Sequence, residues 1–145
     1  MDSDIKALSR RSIEEIWNNK RMEAIDELIA SDCNFHDPLL PTPVRGIAAY
    51  KQFVQSYLHA FPDLHFTIED QAADGDSVII RWTATATHRG DLAGIPATGR
   101  TVKVQGITWD RLANGKFSEA WSSWDTLGMM QQLGVVPKRT AEKAA

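Results

Sequence analysis

Apolar residues recur along this chain first at helical and then at strand spacing. Ile5, Leu8, Ile13, Ile16 and Trp17 fall on one face of a helix over Ser3 to Trp17, with Asp2 and Asp4 near its positive end. Met22, Ile25, Leu28 and Ile29 repeat the period, and Asp32 to His36 reads as a short extended piece. Pro38, Pro41 and Pro43 make the stretch to Arg45 a rigid non-helical loop, because proline fixes φ and biases its predecessor away from α. Beyond Gly46, the residues Ile47, Tyr50, Phe53, Val54, Tyr57, Leu58 and Phe61 form the cleanest helical stripe, ended by Pro62.

The period then changes to two. Leu64, Phe66 and Ile68 alternate with polar residues, and the turn Asp74-Gly75-Asp76 leads into a strand over Ser77 to His88. Arg100 to Arg111 predicts a third long strand, joined through the hairpin signal Asn114-Gly115 to a fourth over Phe117 to Trp124. A last helix is expected over Thr126 to Leu133, with Asp125 as N-cap and Gly134 as terminator. Helices that precede a meander of strands predict one α+β domain over residues 1–137, with 138–145 as a loose tail.

Side-chain size hints at a hollow. In the strand Ser77 to His88, one face carries Val78, Ile80, Trp82, Ala84, Ala86 and His88, and its small residues beside a large indole leave space toward the helices. Val102, Val104, Gly106 and Thr108 share a face of the next strand, and Ser118, Ala120, Ser122 and Trp124 share one of the last. The alternative is an ordinary core, filled by the aromatics of the long helix.

Composition narrows the function class. A net charge of -3 with scattered Lys and Arg gives no footprint for nucleic acid or for an anionic membrane, and no apolar run approaches the length of a bilayer helix. Together with a start that lacks a basic signal region, this predicts a cytoplasmic protein. The single Cys33 has no partner for an internal disulfide. No His, Cys or Asp cluster has metal-ligand spacing, and Gly90, Gly94 and Gly99 precede no helix, so neither a metal nor a nucleotide cofactor is expected. The expected partners are a small hydrophobic molecule and a second copy of the chain.

Several strings carry a resemblance. Phe35-His36-Asp37-Pro38, Ala60-Phe61-Pro62-Asp63-Leu64, Arg81-Trp82-Thr83, Thr87-His88-Arg89-Gly90, Thr98-Gly99-Arg100 and Trp124-Asp125-Thr126-Leu127-Gly128, spread over nearly the whole chain, resemble the SnoaL-like polyketide and ester cyclase group of the nuclear-transport-factor-2-like fold. The resemblance implies a cone: a strongly curved, mainly antiparallel sheet packed on three to four helices around an apolar pocket, and a frequent dimer. It also implies cofactor-free ring closure by aldol attack, with an acid/base aspartate on the last long strand, or a hydroxylase-like activity. The chain departs from that pattern. Where many members carry Glu-His-Trp-Asp it has Glu119-Ala120-Trp121-Ser122, and Thr108 stands where polyketide cyclases show another histidine.

The remaining catalytic candidates are His36, with Asp37 beside it to orient the ring, and His88 and Asp125. Trp82, Trp109, Trp124, Ser122, Thr108, Tyr50, Phe53 and Tyr57 are the expected substrate contacts. The functional expectation is a protein that binds, and transforms without a cofactor, a small hydrophobic oxygenated molecule. The alternative is a noncatalytic binding or dimerisation module.

Overall fold

The change from helical to strand spacing becomes two layers in the computed structural model, which describes residues 2–137. The tail expected over 138–145 lies outside the described residues. The helical layer comprises α1 (Asp2–Ser12), α2 (Glu23–Leu28) and α3 (Ile47–Ala60), and α4 (Thr126–Leu133) follows the last strand. The strands are β1 (Ile29–His36), β2 (Val44–Arg45), β3 (His65–Asp74), β4 (Ser77–Thr87), β5 (Thr101–Ala113) and β6 (Lys116–Trp124). They form one sheet of order β2-β1-β6-β5-β4-β3, antiparallel except for the pair β1 and β6.

The first helix differs from its expected form. After Ser12 it continues as a six-residue π-helical segment, Ile13–Asn18, in which Asn19 N donates to Glu14 O at 2.8 Å. Such wider turns are rare and concentrate at functional sites. Here the side chain of Asn18 compensates: its Nδ2 donates to Phe66 O at 2.9 Å and its Oδ1 accepts from Phe66 N at 2.8 Å, which ties the segment to β3. The turn buries Ile16 completely and sets Ile13 and Trp17 on the wall of the central cavity.

Local rules fix the strand and helix ends. Asn114 and Gly115 both take positive φ, at 53° and 77°, as the tight hairpin between β5 and β6 requires. The Asp125 carboxylate accepts from Gly128 N at 2.8 Å and caps α4, and Gly134 ends that helix in the left-handed region at φ 83°.

The buried side chains form two clusters that share partly buried Trp17 and Leu58. One joins α2, β1 and α3, and the other joins β4, β5 and α4. Across the sheet, Gly106 of β5 pairs with Trp82 of β4 and Trp124 of β6. A Cβ at Gly106 would stand 2.4 Å from Trp82 Cζ2 and 2.6 Å from Trp124 Cβ. Glycine therefore lets the Trp82 indole lie flat across β5, and this placement shapes the site.

Candidate functional site

A cavity of about 1020 Å³, open mouth included, lies between α3, the π-helical segment and the inner face of the sheet. Trp17, Tyr50, Phe53 and Tyr57 wall it on the helical side; β4 contributes Ile80, Trp82, Ala84 and Ala86. Strand alternation continues the wall through Val102, Val104, Thr108 and Asp110 of β5, and Ala120, Ser122 and Trp124 of β6. The aromatic side chains brace one another edge to face: Trp17 lies 5.9 Å from Phe53 and 5.5 Å from Phe66, and Phe66 lies 5.0 Å from Trp82. The small residues of β4 do leave a hollow beside Trp82.

Asp110 is the carboxyl that the sequence reading missed. It lies on the cavity wall, between Val78 of β4 and Ala120 of β6. Among the described residues nothing donates a hydrogen bond to it, and burial alone pushes its carboxyl up to about 7. Tyr50 lines the same wall, and its hydroxyl is raised far above the usual phenol range, chiefly by burial and then by the charge of Asp110. One signal in the sequence pointed to Asp110. The face Val102, Val104, Gly106, Thr108 reaches it by one further step of two, beyond the point where the expected lining stops.

Asp37 is a second carboxyl on the cavity wall, with the opposite environment. Its Oδ2 accepts from Tyr57 Oη at 2.8 Å and from Leu39 N at 3.1 Å, and its Oδ1 accepts from Trp124 Nε1 at 3.1 Å. It ties the proline loop to α3 and β6 and does not orient His36. Tyr57 directs its hydrogen to Asp37, and burial, followed by the charge of Asp37, holds the phenol far above its ordinary range.

Thr108 and Ser122, which stand opposite one another on β5 and β6, bring their hydroxyl oxygens to 2.9 Å. Trp82 Nε1 donates to Thr108 Oγ1, also at 2.9 Å.

The expected residues divide by face. Trp82, Trp124, Ser122, Thr108, Tyr50, Phe53 and Tyr57 all line the cavity. Trp109 does not: one step out of phase with Thr108, it lies on the outer face and is 45% exposed. His36 contributes to the cavity rim, yet its ring stacks on exposed Trp121 at 5.4 Å and lies 3.6 Å from Glu119, because Phe35 takes the inward position. His88 is buried outside the cavity. β4 ends at Thr87, so the alternation stops there, and His88 Nδ1 instead accepts from Thr98 N at 3.2 Å and meets Thr98 Oγ1 at 3.0 Å. Asp125 caps α4 and is absent from the cavity wall.

Among the described residues, no group of three His, Cys, Asp or Glu side chains is placed to hold a metal ion, and no helix is long and apolar enough to cross a membrane.

The whole architecture has solved counterparts. A candidate polyketide cyclase from Acidithiobacillus ferrooxidans is 35% identical, with TM-score 0.80, over 91% of this chain and 95% of that one. IdmH, a candidate polyketide cyclase from Streptomyces antibioticus, is 30% identical with TM-score 0.75, covering 89% and 97%. AclR from Streptomyces galilaeus, a candidate hydroxylase, is 26% identical with TM-score 0.83, covering 97% and 87%. Among curated proteins none matches the chain. The family model for SnoaL-like polyketide cyclases matches residues 7–133. The chain belongs to the SnoaL-like polyketide cyclase family.

Proposed function

We propose that the cavity binds a neutral, mainly apolar oxygenated molecule, and that Asp110 moves a proton between the carboxyl and a carbon next to a carbonyl. The observation that carries this reading is an uncompensated carboxyl in an apolar cavity wall. A carboxyl that titrates near neutral pH is balanced between base and acid, which suits it to take a proton and return it. In the forward step a C–H bond breaks, the proton passes to an Asp110 oxygen, and the electron pair moves onto the carbonyl oxygen as an enolate. The enolate carbon then attacks a second carbonyl of the same molecule, as a cyclase requires, and the alkoxide so formed takes the proton back from Asp110; without ring closure the enolate carbon itself recovers that proton. The carboxyl stands two residues beyond Thr108 on the same face of β5, and in this reading it takes the role left vacant at Ala120 and Ser122.

The test uses β-tetralone, a bicyclic ketone with weakly acidic α-hydrogens. In deuterated water the protein is expected to accelerate exchange of those hydrogens, seen by proton NMR, with a rate that rises with pH through about 7. Asp110→Asn should return exchange to background. Equal exchange with wild type and variant would remove Asp110 from the reaction.

A second reading concerns assembly. The outer faces of β5 and β6 leave Ile107 49%, Trp109 45% and Trp121 38% exposed, an apolar band on the side of the sheet away from the cavity. In this reading a second copy of the chain covers that band, which supports the dimer the family resemblance implies. Light scattering should then give twice the chain mass for wild type and a smaller mass for Trp109→Glu. A monomeric wild type at all concentrations would end this reading.

A further inference from the structure

We propose that Thr108 and Ser122 form a subsite for a carbonyl oxygen, at which one hydroxyl hydrogen of the pair, backed by the Trp82 indole, donates to the ligand. An indole N–H only donates, so at 2.9 Å Trp82 Nε1 fixes Thr108 Oγ1 as its acceptor. The Thr108 and Ser122 oxygens, 2.9 Å apart, share one hydroxyl hydrogen between them. The pair owns two such hydrogens, so one is left. If Thr108 donates to Ser122, the free hydrogen is on Ser122; if Ser122 donates to Thr108, it is on Thr108. In either arrangement it belongs to a side chain on the cavity wall, and no third group among the described residues accepts it. A donor chain of this kind polarises its last member, and the low dielectric of an apolar cavity strengthens it further.

The position matches the chemistry. Thr108 and Asp110 stand on the same face of β5, about 7 Å apart along the strand, so an oxygen held by the hydroxyl pair leaves a neighbouring carbon within reach of the carboxyl. Among the described residues the cavity wall carries no Lys or Arg, which leaves a carboxylate or phosphate ligand without a countercharge. The subsite therefore selects a neutral ketone or ester. As an electrophile toward an enolate it rests on the proposed role of Asp110; as a binding site it stands by itself.

The experiment reads the bound carbonyl directly, with β-tetralone labelled with carbon-13 at the carbonyl. In wild type its carbon resonance is expected at lower field than in hydrocarbon solvent, the signature of an accepted hydrogen bond. The Thr108→Val, Ser122→Ala double variant should return the resonance to the hydrocarbon value, weaken binding by up to about tenfold, and slow exchange by about a hundredfold. Thr108→Ser, which keeps both hydroxyls, should restore the wild-type resonance. An unchanged resonance in the double variant, or no saturable binding of the probe, would overturn the subsite. A displaced resonance without exchange in wild type would support the subsite while removing the proton-transfer role of Asp110.

Discussion

Replacing Asp110 with Asn is expected to make the fold more stable than wild type at about pH 8, and to lose most of that advantage near pH 4. In the folded chain burial holds this carboxyl up to about 7, against an ordinary 3.8. Between those values the native state keeps a proton that the unfolded chain has released. Wild-type stability therefore falls as pH rises through this window and levels off above about 7. At about 1.4 kcal/mol for each tenfold change in ionisation, the full effect is on the order of 4 kcal/mol. In a domain of this size that corresponds to a difference in Tm on the order of 10 °C. Asparagine has nearly the same shape and no charge, so the other titrating groups cancel when variant and wild type are compared at each pH. Urea unfolding of both proteins at several pH values measures that difference. A constant difference across the range would mean that Asp110 ionises as easily in the fold as in water, and the proton-transfer role would lose its physical basis. A carboxyl that destabilises the fold when ionised is also one that takes up a proton readily, so the stability measurement tests the same property on which the proposed proton transfer rests.

The same residue marks a limit of reading the sequence. Strand alternation assigned the inner faces of β4, β5 and β6 correctly wherever a strand remained regular, which puts Trp82, Thr108, Ser122 and Trp124 on the cavity wall, and helical spacing along α3 puts Tyr50, Phe53 and Tyr57 there. Trp109 was expected inside because tryptophan suits a pocket, but parity decides the face, and Thr108 already takes the inward position. The different settings of His36, stacked on Trp121 at the rim, and Asp37, on the cavity wall, depend on the pairing of β1 with β6, between residues 85 apart such as His36 and Trp121. His88 failed because alternation holds only within a strand. The π-helical turn is invisible to a test for helical spacing, since it depends on Asn18 finding the backbone of Phe66, 48 residues away. Asp110 was hidden for a chemical reason: a carboxyl among Val78, Ala120 and Tyr50 breaks the rule that buried charges are paired, and a reading that looks for partners passes over it.

Asp37→Ala is expected to destabilise the fold by about 3 kcal/mol and to loosen the mouth of the cavity. The carboxylate gathers three donors that come from separate parts of the chain: Tyr57 Oη of α3, Trp124 Nε1 at the end of β6, and Leu39 N of the proline loop. Alanine leaves the Tyr57 and Trp124 donors facing an apolar cavity without an acceptor, and a stranded buried donor costs about 1–3 kcal/mol. Leu39 N, near the surface, can turn to water. Asp37→Asn should be much milder, at about 1 kcal/mol. With its carbonyl oxygen on the Tyr57 and Leu39 side, asparagine still accepts from both, and only Trp124 Nε1 is left without an acceptor, one stranded donor instead of two. The two substitutions therefore separate two explanations. If Asp37 acts through its charge, as a second acid/base group, Asn and Ala should abolish β-tetralone exchange alike. If it acts by holding Tyr57, Trp124 and the loop in place, Asn should keep most of both stability and exchange while Ala loses both. The structure favours the second outcome, because both oxygens of Asp37 are already engaged by donors, whereas those of Asp110 are not. Urea unfolding together with the exchange rate of each variant decides between them, and loss of exchange in a stably folded Asn variant would move the acid/base role from Asp110 toward the loop.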